Sequence, residues 1–137
     1  MRTFYIFEIK DNVLNNYKYD YEELYELLDS IHYLKLEDLS NGFDIFNSLA
    51  NLINKDKYNN YIKKENNSNE NYMCNNYTHT INDFYSDETT KMIINKSHIK
   101  IKSNKNNPSF FYNIKNIKNL FVCDFNNHDY FLLNQSF

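Results

Sequence analysis

The chain is almost without glycine: Gly42 stands alone among 137 residues, beside one proline (Pro108), one alanine (Ala50) and one arginine (Arg2). A single glycine cannot build a phosphate loop, because the P-loop and the dinucleotide-binding fingerprint both need several where backbone closes on phosphate. Nucleotide enzymes of those kinds are excluded. Long apolar runs are missing too. Only a few apolar positions separate Arg2 from Glu8, too few for a signal-peptide core, and nothing approaches the roughly 18 apolar residues of a membrane span. Cysteine is limited to Cys74 and Cys123, which without a secretory signal read as free thiols of a reducing cytosol. Positive charge is short as well. Fifteen basic residues face 18 acidic ones, a net charge of −3, so no overall field draws phosphate and direct nucleic-acid contact is not expected.

What fills the chain instead is asparagine (26 residues), tyrosine (13) and phenylalanine (11). The enriched residues have AT-rich codons and the depleted ones GC-rich codons, so the bias implies an AT-rich genome. Three sequons (Asn66-Asn67-Ser68, Asn76-Tyr77-Thr78, Asn95-Lys96-Ser97) are the chance matches such composition produces. With 18% aromatics the chain has the means to bury a core, which excludes wholesale disorder, and its length suits one domain over 1–137.

Residues 3–9 mix β-branched and aromatic side chains at period two, predicting a first strand. Asp11 then stands where a cap belongs, opening a short helix over 11–17 with Val13 and Tyr17 four apart on one face. Asp20 and Glu23 form a capping-box pattern ahead of Leu24, Leu27, Leu28 and Ile31, a second helix over 21–31. Ser40 or Asn41 caps a third, whose stripe is Phe46, Leu49, Ala50 and Ile53, supported by Phe43 and Leu52. The polar run 54–76 reads as a helix tail followed by a mobile asparagine-rich loop. Partial alternation over 77–85, strands at 90–95 and 98–103, a helix from Pro108 to about Lys118, and strands at 120–125 and 130–133 complete the chain. The expected fold is a single α+β domain with a mostly antiparallel sheet packed against three to four helices.

Chemistry-bearing residues are sparse. Cys74 and His79 are the nearest approach to a metal pair but lack two further ligands, so no metal or cofactor is expected. Cys123, Asp124 and His128 can be drawn as nucleophile and base, yet Cys123 lies in a run of buried-strand residues, which argues against a reactive thiol. Glu22, Glu23, Glu26 and Asp29 read as the solvated face of the second helix. Lys91, Lys96, Lys100, Lys102 and Lys105, interleaved with Phe111 and Tyr112, form the best local case for a nucleic-acid patch. The ordinary account, solubility and edge protection of a strand, outweighs it. Val13 and Tyr17 remain, either as packing residues or as a protein-binding knob, since Tyr is enriched among interface hot spots. No catalytic residue is expected.

Arg2, Tyr5, Ile9-Lys10-Asp11, Asn15, Tyr17 and Leu24…Leu27-Leu28 together resemble the opening of the SirA family, the sporulation inhibitor of replication of endospore-forming bacteria. Phe110-Phe111 followed by LFVCDFNNHDYFLLN resembles that family's C-terminal stretch. The resemblance covers roughly 2–31 and 89–134. It implies an α/β-type, non-enzymatic cytoplasmic protein without membrane contact that binds the N-terminal domain of the replication initiator DnaA. The family's aromatic pair on the first short helix falls on Val13 and Tyr17. Tyr17 keeps the aromatic, Val13 is smaller, and Phe131 replaces a family glycine. The alternative is a lineage-specific interaction module with a different partner, working through the 54–76 segment.

Overall fold

In the computed structural model, which describes residues 1–34 and 39–136, β1 (Arg2–Ile9) runs through the middle of an eight-stranded sheet. Helices α1 (Asp11–Tyr17), α2 (Tyr21–His32) and α3 (Leu39–Leu49) follow, then β2 (Ala50–Asn51) and α4 (Lys55–Glu65). Four strands come next, β3 (Tyr72–Asn75), β4 (Thr78–Asp83), β5 (Glu88–Ile94) and β6 (Ile99–Ser103). The chain closes with α5 (Ser109–Ile114), β7 (Leu120–Asp124), β8 (Asp129–Leu132) and a 3₁₀ turn at Leu133–Gln135. The sheet order is β3-β4-β5-β6-β1-β7-β8, with β2 pairing the end of β1, and every registered pair is antiparallel.

Strand alternation gives each face of the sheet its own core. Phe4 and Ile6 of β1 join Met92, Ile94, Ile99, Ile101, Leu120 and Val122 beneath α4 and α5, where Phe4 and Phe111 meet edge to face at 5.0 Å. Phe7 and Ile9 join Phe121 and Cys123 on the other face beneath Val13, Leu24, Leu28 and Phe46. Among the described residues, α1–α3 build their core on β1, β7 and β8, and no helix packs on the second face of β3–β6.

The scarcity of glycine shows in the turns. Left-handed backbone falls to Asn76, Asp87, Asn119 and His128, three of them residues whose short polar side chains tolerate that region. Gly42 is not among them, and a Cβ there would meet the tip of the Leu34 side chain.

Three sequence expectations are corrected. The third helix ends at Leu49, and Ala50 pairs with Ile9 while the Ile53 amide donates to Lys96 O at 2.6 Å. Ala50 and Ile53 are buried as expected, but from extended backbone, whereas Phe43 and Leu52 are 61% and 58% exposed rather than supporting the core. The helix begins at Leu39, and the side chain of the expected cap Ser40 lies outside the described residues. Second, 54–76 holds α4 and β3 in place of a helix tail and loop. The Asn54 side chain caps α4 by accepting from the Lys57 amide at 3.2 Å, and Tyr58 and Ile62, one turn apart, are buried on the sheet. Tyr58 donates its hydroxyl to Glu8 at 2.8 Å, so one buried polar contact locks the helix to β1. Among the described residues the α-helices therefore number five. Also, α5 stops at Ile114, short of Lys118, because β7 begins at Leu120.

Candidate partner-binding site

The short helix α1 could not hold itself in water, being only two turns long. Its geometry comes from contacts at both ends. The Lys10 amide donates to Leu49 O at 3.0 Å, the Lys10 ammonium to Asn47 O at 2.5 Å, and the Ile9 amide to Asn119 O at 2.9 Å. Asp11, in the first turn, accepts from the Asn119 side chain and faces the Lys118 ammonium at 3.6 Å. The Asn119 hydrogen bond first, then the lysine's charge, hold its carboxyl below the usual range. At the far end the Asp20 amide donates to Tyr17 O at 2.8 Å, and the Asp20 carboxylate caps α2 through the Glu23 amide at 3.2 Å. The turn between α1 and α2 is thus closed by hydrogen bonds from both the amide and the carboxylate of Asp20.

Of the two positions singled out in the sequence, Val13 is only 6% exposed and belongs to the core under α1. It faces inward and supports the helix. Tyr17 is half-buried against the same core. The fully presented ring is one that sequence reasoning missed: Tyr19 is 91% exposed, with the Lys18 ammonium 5.1 Å from its centroid. Tyr19 lies between the helix end and the Asp20 cap, outside the periodic pattern, so spacing alone does not mark it. Exposed Glu22, Glu23 and Glu26 flank this turn, and Asp29, expected beside them, is half-buried with one oxygen unpartnered.

Beside α2 the aromatic surplus is concentrated. Tyr25 stacks on Tyr130 with centroids 5.1 Å apart, and His32 stacks on Phe125 at 4.6 Å. Burial pushes the Tyr25 hydroxyl up to about 12. A cavity of about 560 Å³ opens between β1, α2, α3 and the β5–β6 turn, lined mainly by apolar side chains with His32, Ser97 and His98. Burial lowers both imidazoles, His98 to about 4, so neither carries charge at neutral pH. The cavity offers packing rather than acid–base chemistry.

The other sequence candidates do not assemble. Cys74 and His79 face each other across β3 and β4, but both imidazole nitrogens are occupied: Nε2 donates to Asn59 Oδ1 at 2.5 Å and Nδ1 accepts from the Tyr72 hydroxyl at 2.6 Å. Among the described residues no three His, Cys, Asp or Glu side chains are grouped to hold a metal ion. Cys123 is fully buried and its thiol is pushed well up by burial. Asp124 projects from the opposite face of β7 and accepts from Arg2 Nε at 2.9 Å, while His128 lies 3.4 Å from Glu22. Cys74 and Cys123 sit on opposite faces, five strand spacings or about 24 Å apart, and do not pair. Among the described residues no helix is long and apolar enough to cross a membrane.

Comparison with known proteins gives one finding. A family model, sporulation inhibitor of replication protein SirA, matches residues 2–136, running through the middle segment as well as both ends. No curated protein matches the chain.

Proposed function

The chain belongs to the SirA family of sporulation inhibitors of replication, and we propose that it acts by binding the N-terminal domain of the initiator DnaA through α1 and the turn that follows it. Inhibition is then occupancy: a few central aromatic contacts cover a partner's interaction face and nothing is turned over. The observation that carries this reading is a hydrogen-bonded, preorganised turn that presents Tyr17 half-buried and Tyr19 almost fully to solvent. Rigid presentation lowers the ordering cost of association. Acidic Glu22 and Glu23 beside the rings suit a partner whose rim is basic. Val13 contributes from below, by fixing the pitch of α1 against the core.

The test is calorimetric titration of the purified chain with the DnaA N-terminal domain of the same organism. Tyr17→Ala and Tyr19→Ala are each expected to weaken binding by about 1–3 kcal/mol, the loss typical of a central interface aromatic. Absence of binding by the parent chain overturns the proposal. Parental affinity in both variants, with the circular dichroism spectrum intact, removes α1 from the interface.

A further inference from the structure

The uncovered face of β3–β6 carries Lys91, Lys100 and Lys102 together with Thr78, Thr80 and Thr89, and no Asp or Glu at all, by the register of the four strands. That is notable in a chain with more acidic than basic residues. Lys91 and Lys102 stand directly opposite each other, Lys100 lies one pair further on, and the three line a shallow depression over Ile93. Like charges directly opposed on a sheet are destabilising. None of the three makes an ion pair with a described residue, and Lys100 is 5.7 Å from the Tyr5 ring centroid. Edge protection, the ordinary reason for strand lysines, does not apply, because β5 and β6 are interior strands.

A second feature stands at the end of β4 and β5. Phe84 and Tyr85, in the turn joining β4 to β5, are 91% and 96% exposed, with centroids 5.8 Å apart. Their backbone is fixed. Asp83 Oδ1 accepts from the Tyr85 amide at 3.0 Å and the Ser86 amide at 3.3 Å, and the Asn104 side chain donates to Asp87 O at 2.7 Å. Lys91 is four residues from Asp87, about 13 Å along the strand. Lysines without an ion pair among the described residues, which can track a backbone, and exposed aromatic rings within a few nucleotides' reach, on which bases stack, are the two parts of a site for single-stranded nucleic acid.

We propose that this face binds single-stranded nucleic acid, with phosphates on Lys91, Lys100 and Lys102 and bases on Phe84 and Tyr85. The expectation of no nucleic-acid contact rested on the summed charge and on reading these lysines as solubility and edge protection, and the interior position of β5 and β6 removes the edge-protection part of that account. The proposal is independent of the initiator contact, which lies on α1.

The experiment is fluorescence anisotropy of a labelled twelve-residue oligothymidylate with the full chain. Three neutralised phosphates give a slope of about −2 in log affinity against log salt, or roughly 20-fold weaker binding at 200 mM than at 50 mM. Lys91→Gln with Lys102→Gln should reduce the slope to about −0.7. Phe84→Ser with Tyr85→Ser should weaken binding at least about fivefold at unchanged slope. No binding at 50 mM salt, or a slope indifferent to the lysine changes, overturns the proposal. So does equal binding of polyglutamate that ignores the ring substitutions, since that marks an acidic polypeptide as the occupant.

Discussion

His79 links α4 to the β3–β4 hairpin, and protonating it should loosen that corner. Its side chain is 0% exposed. One nitrogen already donates to Asn59 and the other accepts from Tyr72, so a second N–H would force the Tyr72 hydroxyl to turn from donor to acceptor. Burial first, and the charge of Lys63 second, lower its pKa from 6.5 to about 4. In the unfolded chain the imidazole titrates near 6.5, so as pH falls the unfolded state takes up the proton first. Stability from this group is therefore complete above pH 6.5, declines as pH falls through the window, and reaches its floor below about 4. At pH 5 the difference amounts to about 2 kcal/mol, and the full shift to about 3 kcal/mol. His98, also lowered to about 4 by burial, then His32 and Lys100, adds a loss of the same sign. The assay is urea unfolding followed by circular dichroism at pH 7 and pH 5, on the parent and on His79→Gln, whose amide retains one donor and one acceptor. The parent should lose at least about 2 kcal/mol between the two conditions, and the variant about 2 kcal/mol less than the parent. Equal pH dependence in the two proteins would refute the reasoning.

Three further outcomes are expected. Asp124 is buried and accepts from Arg2 Nε, the Asn126 and Asn127 amides and the Asn127 side chain, so Asp124→Ala should cost about 3 kcal/mol in denaturant unfolding, while a loss under 1 kcal/mol would mean the network is dispensable. Asn76 has φ 55°, so Asn76→Val should destabilise by about 1–2 kcal/mol and Asn76→Gly should be near neutral, an ordering that thermal unfolding can check. Native thiol labelling followed by mass spectrometry should modify half-buried Cys74 well before Cys123, and equal rates would contradict the burial of β7.

Much of the fold can be read along the chain because its signals are local. The Asp20 cap with Glu23, the alternation of Ile99 and Ile101 with Lys100 and Lys102, and the turn residues before β8 each act within a few positions. Where reading failed, local and long-range demands diverged. Ala50 and Ile53 continue the helical spacing of Phe46 and Leu49, yet burying them against β1 and the β5–β6 turn requires extended backbone. In α4 the buried face rests on Tyr58 and Ile62 amid polar neighbours, too narrow a stripe for periodicity to register. At the candidate site, the helix and the place of Tyr17 at its end were legible. The inward turn of Val13 and the exposure of Tyr19 depend on how α1 meets the sheet.

Composition and local order thus suffice to exclude phosphate-loop chemistry, to specify α2 with its Asp20 cap and the β5–β6 and β7–β8 hairpins, and to shift left-handed turns onto asparagine and aspartate where glycine is lacking. They say little about which faces are shared. Lys91 and Lys102 are eleven positions apart and become neighbours only through the β5–β6 register, and among the described residues the face they occupy is left open because α1–α3 pack over β1, β7 and β8. Charge along a chain adds up in any order, whereas a field acts at a place, and that place is set by strand order and by which helices cover which strands.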